Sequence, residues 1–192
     1  MTTWIVLAIV AAVAVYGVLL FNRLVKSRQM AAEGWSGIDV QLKRRADLVP
    51  NLVDAVKGYA AHERALFNEI TELRSAVGRV AAGDVAGRGQ VEGQLAGALA
   101  RLLALAEAYP DLKASDNFRD LQAALATVED EIQMARRYYN GATRNLNVLV
   151  ESFPSNLVAG AFRFAKRDFF QIEDADRAVP EVEFKRQATG EG

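Results

Sequence analysis

The side chains that most often carry chemistry are scarce in this 192-residue chain, and they form no familiar catalytic pattern. The chain has no cysteine, which excludes disulfides, thiol catalysis and Cys-ligated zinc. His62, the only histidine, is followed by Glu63, but Leu66 stands where a zinc-protease helix needs its second histidine. No serine lies in a G-x-S-x-G turn, and no glycine-rich loop ends in Lys and Ser or Thr. We therefore expect no catalytic residue, no metal and no cofactor.

Two charged residues interrupt an otherwise apolar repeat. A seven-residue pattern that starts at Trp35 predicts a long packed helix, and its two polar exceptions are Arg45 and Glu63. A buried charge without a partner is costly, so each side chain should pair with another helix or reach solvent. The candidate partners on the helix from Phe118 are Glu129 or Glu131 for Arg45, and Arg136, Arg137 or Tyr139 for Glu63. Structural pairs that set the register are the favoured interpretation, and a binding pocket is the alternative.

A basic and aromatic segment, residues 161–170, contains four phenylalanines and three basic residues. As a helix it would suit an anionic membrane surface. The candidates for that contact are Phe162, Arg163, Lys166, Arg167 and Phe169. The favoured alternative is that two or three of the rings close the end of a helical core. A platform for RNA is a weaker third interpretation, since no larger basic patch accompanies the rings.

Eighteen residues from Trp4 to Phe21 contain no charge. As a helix this run extends about 27 Å, close to the hydrocarbon thickness of a bilayer. A cleaved signal peptide is disfavoured, because a basic start and a small-residue cleavage site are missing. We therefore expect a single-pass anchor at residues 1–22 in the cell membrane. Positive charge follows the run at Arg23, Lys26 and Arg28, and none precedes it, which predicts an external N-terminus and a cytoplasmic remainder.

The rest of the chain has the apolar periodicity of helices. The first stripe predicts one long helix or two collinear ones, with a kink or break at Pro50. Six glycines between Gly78 and Gly97 predict a flexible hinge. A second long stripe runs from Phe118 to Phe153, and a short helix should follow Pro154 and continue to Lys166.

These patterns predict an all-α fold, in which an N-terminal transmembrane helix precedes an antiparallel bundle of long helices. The bundle domain should occupy residues 23–170, and residues 171–192 should form an irregular tail. In that tail Val182 and Phe184 alternate with charged residues, which suggests an extended segment that docks on the bundle.

Three sequence blocks resemble the LemA family. They read WSGIDVQLKRRADLVPNLVDAVKGYAAHE at Trp35–Glu63, AEAYPDLKASDNFRDLQ at Ala106–Gln122, and RRYYNGATRNLNVLVESFPSNLVAGAF at Arg136–Phe162. The resemblance implies a membrane protein with one N-terminal helix, a short external N-terminus and a bundle of long helices. It implies no biochemical activity. Asn140, in the third block, is a further candidate structural or interaction residue beside Arg45 and Glu63.

The sequence favours a non-enzymatic scaffold or interaction module at the cell envelope. Its expected partners are the lipid bilayer and an unidentified protein. A near-zero net charge offers no field for nucleic acid, so no nucleic-acid partner is expected. The alternative is a homo-oligomer that organises or shapes the membrane, because small residues from Ala8 to Gly17 permit close approach of two anchor helices.

Overall fold

A computed structural model describes residues 1–81 and 83–171, and this part of the chain is helical without strands. The helices are α1 (Thr2–Lys57), α2 (Arg64–Val77), α3 (Val85–Ala106), α4 (Pro110–Ala114), α5 (Asp116–Glu151) and α6 (Ser155–Ala161). The predicted all-α class is confirmed. The proposed tail, with Val182 and Phe184, lies from residue 172 onward outside the described residues.

Helix α1 runs without interruption from the apolar segment into the bundle. None of its residues from Thr2 to Leu19 is buried in the fold, and burial begins at Leu20. Further along, buried positions recur every three or four residues, which is the spacing of one helix face. They include Leu24, Ala31, Ile38, Leu42, Arg45, Val49, Leu52 and Val56. Helix α1 therefore has an exposed apolar segment at its N-terminal end and, further along, a buried face that forms part of the core.

Pro50 does not break α1, so of the predicted kink or break the break is wrong. A proline has no backbone N–H, so the carbonyl oxygen four residues earlier loses its helical donor. That oxygen belongs to Ala46, and it accepts a hydrogen bond from Nε of Arg74 at 2.8 Å. A side chain from α2 thus replaces the missing donor, and α1 continues to Lys57.

Helices α2 and α3 form a hairpin beside α1. Because Arg74 on α2 reaches Ala46 on α1, α2 turns back along α1, and the prediction of one long helix or two collinear ones is wrong beyond Lys57. Arg101 on α3 pairs with Glu69 on α2, so α3 runs back again.

The predicted hinge between Gly78 and Gly97 is wrong for most of its length, because α3 begins at Val85. Asp84 caps this helix by accepting a hydrogen bond from the Gly87 amide at 2.8 Å. Gly89 has a packing role, since a Cβ there would overlap the carbonyl oxygen of Gln171. The glycines of this region therefore serve two purposes: Gly89 allows a close backbone contact inside α3, and others lie in the short link that precedes α3.

Helix α5 lies antiparallel to α1, and these two helices pack together more extensively than any other pair of the described helices. Arg45 meets Glu129 towards the start of α5, whereas Leu24 packs with Leu146 and Leu149 near its end. The predicted second long helix is confirmed. Helix α3 ends at Ala106, and Pro110 opens the short α4.

Helix α6 is shorter than the sequence suggested. The predicted helix continued to Lys166, but α6 ends at Ala161, and residues 162–171 are not helical. Arg163 adopts a left-handed conformation with φ of 55°, which turns the chain away from the helix axis. Residues 164–171 then return along α5, and we call this segment the strap.

A close approach of α1 and α5 at Gly34 supplies a stability test. A Cβ added at Gly34 would lie 2.9 Å from the Tyr139 Cα and 3.0 Å from the Tyr138 ring, whereas one at Gly37 would meet nothing within 4 Å. We expect Gly34→Ala to lower the free energy of unfolding by about 1–3 kcal/mol through overpacking. Gly37→Ala should raise it by up to about 1 kcal/mol through helix propensity.

Both variants are compared by denaturant unfolding of the full chain in detergent. The signal is Trp35 fluorescence in a Trp4→Phe background, which removes the only other tryptophan. Equal effects of the two substitutions would show that the α1–α5 contact at Gly34 is looser than described.

Candidate functional site

A buried arginine joins three helices at the centre of the bundle. Arg45 on α1 is 0% exposed, as is Glu92 on α3. One guanidinium nitrogen donates to the Glu92 carboxylate at 2.5 Å and to the Glu92 carbonyl at 3.2 Å. The other donates to Glu129 on α5 at 2.9 Å. Of the two predicted partners of Arg45, Glu129 and Glu131, the structure pairs it with Glu129, and Glu92 is an additional partner.

A second arginine extends these contacts to the remaining long helix. Nε of Arg88 donates to the free carboxylate oxygen of Glu92 at 2.9 Å. Its terminal nitrogens donate to the carbonyl of Val77 at the end of α2, at 3.2 Å, and to Asp39 on α1, at 3.4 Å. We call Arg45, Arg88, Glu92 and Glu129 the Arg45 node. It connects α1, α2, α3 and α5.

The electrostatics keep Arg45 charged. Burial by itself lowers the pKa of the guanidinium, but the charges of Glu129 and Glu92 and their hydrogen bonds raise it above the ordinary arginine value overall. The two arginines and two glutamates of the node balance in charge. A buried ion pair is tolerated when its hydrogen bonds are well formed, and this condition is largely met here. Of the buried side-chain nitrogen and oxygen atoms of the node, only Nε of Arg45 has no hydrogen-bond partner.

The geometry of the node does not favour binding or catalysis. Both carboxylate oxygens of Glu92 already accept hydrogen bonds from arginine, and Arg45 has no exposed surface. A ligand would have to displace an internal partner to reach either group. Within residues 1–81 and 83–171, no cluster of three His, Cys, Asp or Glu side chains is placed to hold a metal ion. The arrangement is suited to fixing helix positions.

Glu92 was missed because its surroundings were interpreted as a hinge. A usable signal was present, since Glu92 precedes Leu95, Leu99 and Leu102 at spacings of three and four. Extending that stripe backward places Glu92 on the same buried face, as the structure does. At Glu92, as at Arg45, a charged residue on an apolar stripe therefore indicates a buried charge with a partner.

Glu63 does not have the role expected of a seam residue. It directly precedes α2, is partly exposed, and lies 3.7 Å from Nε2 of His62. Of the two expected alternatives, a partner on α5 or contact with solvent, the structure shows contact with solvent, because α1 ends at Lys57 and Glu63 lies between α1 and α2. His62 is a surface residue, as its isolation in the sequence suggested.

Asn140 holds the strap against α5. Its amide donates to the carbonyl of Phe170 at 3.0 Å, and its side-chain oxygen accepts from the Phe170 N–H at 2.9 Å. Asn147 makes the same pair of bonds with the backbone of Arg167, both at 2.9 Å. Non-helical backbone needs hydrogen-bond partners when it packs on protein, and one asparagine side chain supplies both a donor and an acceptor. The two asparagine side chains therefore give the strap backbone hydrogen bonds of the kind that a neighbouring strand would give in a sheet.

The candidate membrane-surface residues do not form one helical face. Phe162 is exposed just after α6, whereas Phe169 lies on the strap with Arg167, whose backbone Asn147 binds. Lys166 pairs with Glu151 at 2.7 Å, and this pairing raises the lysine pKa. The other two rings, Phe164 and Phe170, are buried in the core. Phe164 lies beside Leu24 at the end of the bundle, whereas Phe170 packs further along against Trp35, so the expected closure of the core end by two or three rings holds for Phe164 alone.

A basic groove of about 510 Å³ lies between α5 and the strap. Arg136, Arg137 and Arg144 line it together with Asn140 and Phe169. It is open to solvent. The three guanidinium groups would favour an anionic ligand over a cationic one.

Comparisons with known proteins agree with this architecture. A family model described as the LemA family matches residues 34–184. The chain is 25% identical over 197 residues to Magnetosome protein MamQ 2 of Paramagnetospirillum magneticum, covering 88% of this chain and 72% of the relative. It is 24% identical to Magnetosome protein MamQ of Magnetospirillum gryphiswaldense, with 81% and 66% covered. It is also 26% identical to Protein LemA of Metamycoplasma hominis, with 81% and 71% covered.

Substitution of Arg45 tests whether the node stabilises the fold. Arg45→Ala leaves the Glu92 carboxylate buried with one of its two partners removed, so the free energy of unfolding should fall by about 3–5 kcal/mol. Arg101→Ala, which removes the exposed pair with Glu69, should cost at most about 1 kcal/mol. The double variant Arg45→Met/Glu92→Met should recover much of the loss, since apolar residues of similar volume can replace a buried ion pair.

Urea unfolding of the full chain in detergent measures all three variants. A loss of less than about 0.5 kcal/mol for Arg45→Ala is the range of an ordinary surface change. That result would contradict the buried ion network and would make Arg45 a candidate for partner binding.

Proposed function

This chain belongs to the LemA family, and we propose that it acts as a non-enzymatic membrane-anchored scaffold. In this proposal α1 spans the cell membrane, and the bundle presents its outer surface to a protein partner close to the bilayer. The partner would recognise the bundle surface, while the charged interior maintains its shape.

The continuity of α1 is the observation that carries the proposal. The helix has 56 residues, which corresponds to about 84 Å. Its apolar window is long enough to cross a membrane and has none of its residues buried in the fold. The same helix then becomes the wall against which α5 packs. Because no linker separates the two parts, the position of the bundle is mechanically coupled to the span.

The interior and the relatives both favour a role without catalysis. The ionisable groups at the centre of the bundle are engaged with one another, and Arg45 and Glu92 are fully enclosed. The names of the MamQ and LemA relatives denote no enzymatic activity. A magnetosome protein among the relatives supports a role at a membrane-associated structure, and we extend that kind of role to this chain.

We further propose that the bundle faces the cytoplasm. Arg23, Lys26 and Arg28 follow the apolar segment, and positive charge close to a span favours the cytoplasmic side. The exposed surface of the bundle would then be available to cytoplasmic proteins, with the short N-terminal end of α1 outside.

Site-specific photo-crosslinking tests the scaffold proposal. A photoreactive amino acid is placed at Val40, Met134 or Tyr138, which are exposed apolar or aromatic positions of the bundle. In native membranes we expect discrete adducts with another protein from at least one site. The matched control is Ile38, two residues from Val40 and fully buried, which should give no such adduct.

The adduct masses separate the candidate functions. Adducts with a different protein support the scaffold. Adducts that contain only a second copy of the chain would contradict it and support the homo-oligomeric alternative. No protein adduct from any exposed site would also contradict the scaffold.

A further inference from the structure

Three large apolar side chains around α6 are exposed although the core is close by. Phe153 precedes α6 and is 79% exposed, Leu157 on the helix is 64% exposed, and Phe162 after it is 61% exposed. Ala159 on the same helix is buried against the bundle. The helix therefore has one covered side and one uncovered apolar side. We call the three exposed residues the foot.

The foot lies at the end of the bundle from which the anchor emerges. The Phe162 ring contacts the Phe21 ring in an edge-on arrangement, with centroids 4.8 Å apart. Phe21 is the last residue of the uncharged run, and Leu24, one turn later, shares a core cluster with Ala159. Phe162 of the foot thus adjoins the end of the uncharged apolar run.

We propose that the foot inserts into the interfacial layer of the same bilayer that α1 crosses. An exposed aromatic and aliphatic surface is unfavourable in water but suits the boundary between headgroups and acyl chains. Arg23 and Lys26 on α1 and Arg163 beside Phe162 are exposed around this level, and their charges suit anionic headgroups. The partner class is therefore an anionic lipid surface.

The geometry limits the contact to the foot. Phe170 on the strap packs against Trp35 with ring centroids 5.5 Å apart. Trp35 follows Phe21 by fourteen residues, which is about 21 Å along the helix. Interfacial side chains reach only about 5–10 Å into the headgroup boundary. Phe169, next to Phe170, is therefore outside the proposed contact, although the sequence had grouped it with Phe162.

A second contact with the bilayer has a mechanical consequence. A single span leaves a bundle free to rotate about the span axis and to tilt, whereas a foot beside the span fixes which side of the bundle faces the membrane. This inference rests on the proposed function only in taking α1 as the membrane span. It makes no assumption about a protein partner.

Depth-dependent quenching on the full chain in liposomes tests the proposal. The chain has no native cysteine, so single cysteines at Leu157 and Phe162 can each carry a bimane fluorophore. Val40→Cys is the matched control, because Val40 is a similarly exposed apolar residue about 28 Å beyond Phe21 along α1. Val10→Cys reports on the span itself. The vesicles contain phosphatidylglycerol and a small fraction of nitroxide-labelled lipid, and aqueous iodide is the second quencher.

We expect lipid nitroxide to quench the probes at 157 and 162, and iodide to quench them several-fold less than the probe at 40. Adding Leu157→Glu should restore iodide quenching at position 162, because the charge disfavours insertion. Quenching by iodide at 157 and 162 equal to that at 40 would overturn the proposal, as would no effect of Leu157→Glu.

Two further readouts identify the cause of a negative result. Protection from iodide that is lost when the protein is diluted in lipid would assign the foot to a second copy and overturn the membrane contact. If lipid nitroxide does not quench the probe at Val10, α1 does not span the bilayer. That result would contradict both the membrane contact of the foot and the membrane-anchored scaffold. If Val10 is quenched while the foot is not, only the foot is overturned.

Discussion

The enclosure of one arginine charge constrains the arrangement of the whole bundle. Arg45 remains ionised without exposed surface, so its carboxylate partners must lie at one level of α1. Glu92 and Glu129 meet that requirement from two different helices. A shift of α1 by a single residue would rotate the guanidinium by about 100° away from both partners and leave buried charges unpaired. We infer that the node selects one register among the many that the apolar stripes alone would accept.

That register is transmitted along α1 towards its apolar N-terminal segment. Gly34 allows α5 to approach at the level of Tyr139, and Leu24 packs with Leu146 near the end of the bundle. The strap covers the same side, where Asn140 and Asn147 bind its backbone. With these contacts in place, the orientation of the uncovered apolar segment follows from the packing of the bundle. The scaffold proposal depends on this coupling more than on any single surface residue.

Periodicity in the sequence was sufficient for the helical class, the apolar N-terminal segment, α5 and the pairing of Arg45 with a carboxylate of α5, which the structure identifies as Glu129. The wrong predictions have one physical origin. Each relied on local sequence propensity at a position whose structure is determined by a contact with a residue distant in sequence. Pro50 frees a carbonyl that Arg74 satisfies, and Gly89 is required by the backbone of Gln171. Neither partner is near in sequence. Glu92 was lost with the supposed hinge, and the length of α6 was overestimated because the bonds that hold the strap come from α5.

The central claim is that the span and the bundle move as one rigid body. Nitroxide labels at Val10→Cys in the span and Met134→Cys on α5, both exposed positions, report on it directly. Pulsed electron spin resonance on the full chain in lipid nanodiscs gives the distribution of distances between the two labels. A single narrow distribution is expected if α1 is continuous and locked to α5. A broad or multimodal distribution would contradict the account, since it would show that the bundle moves independently of its anchor.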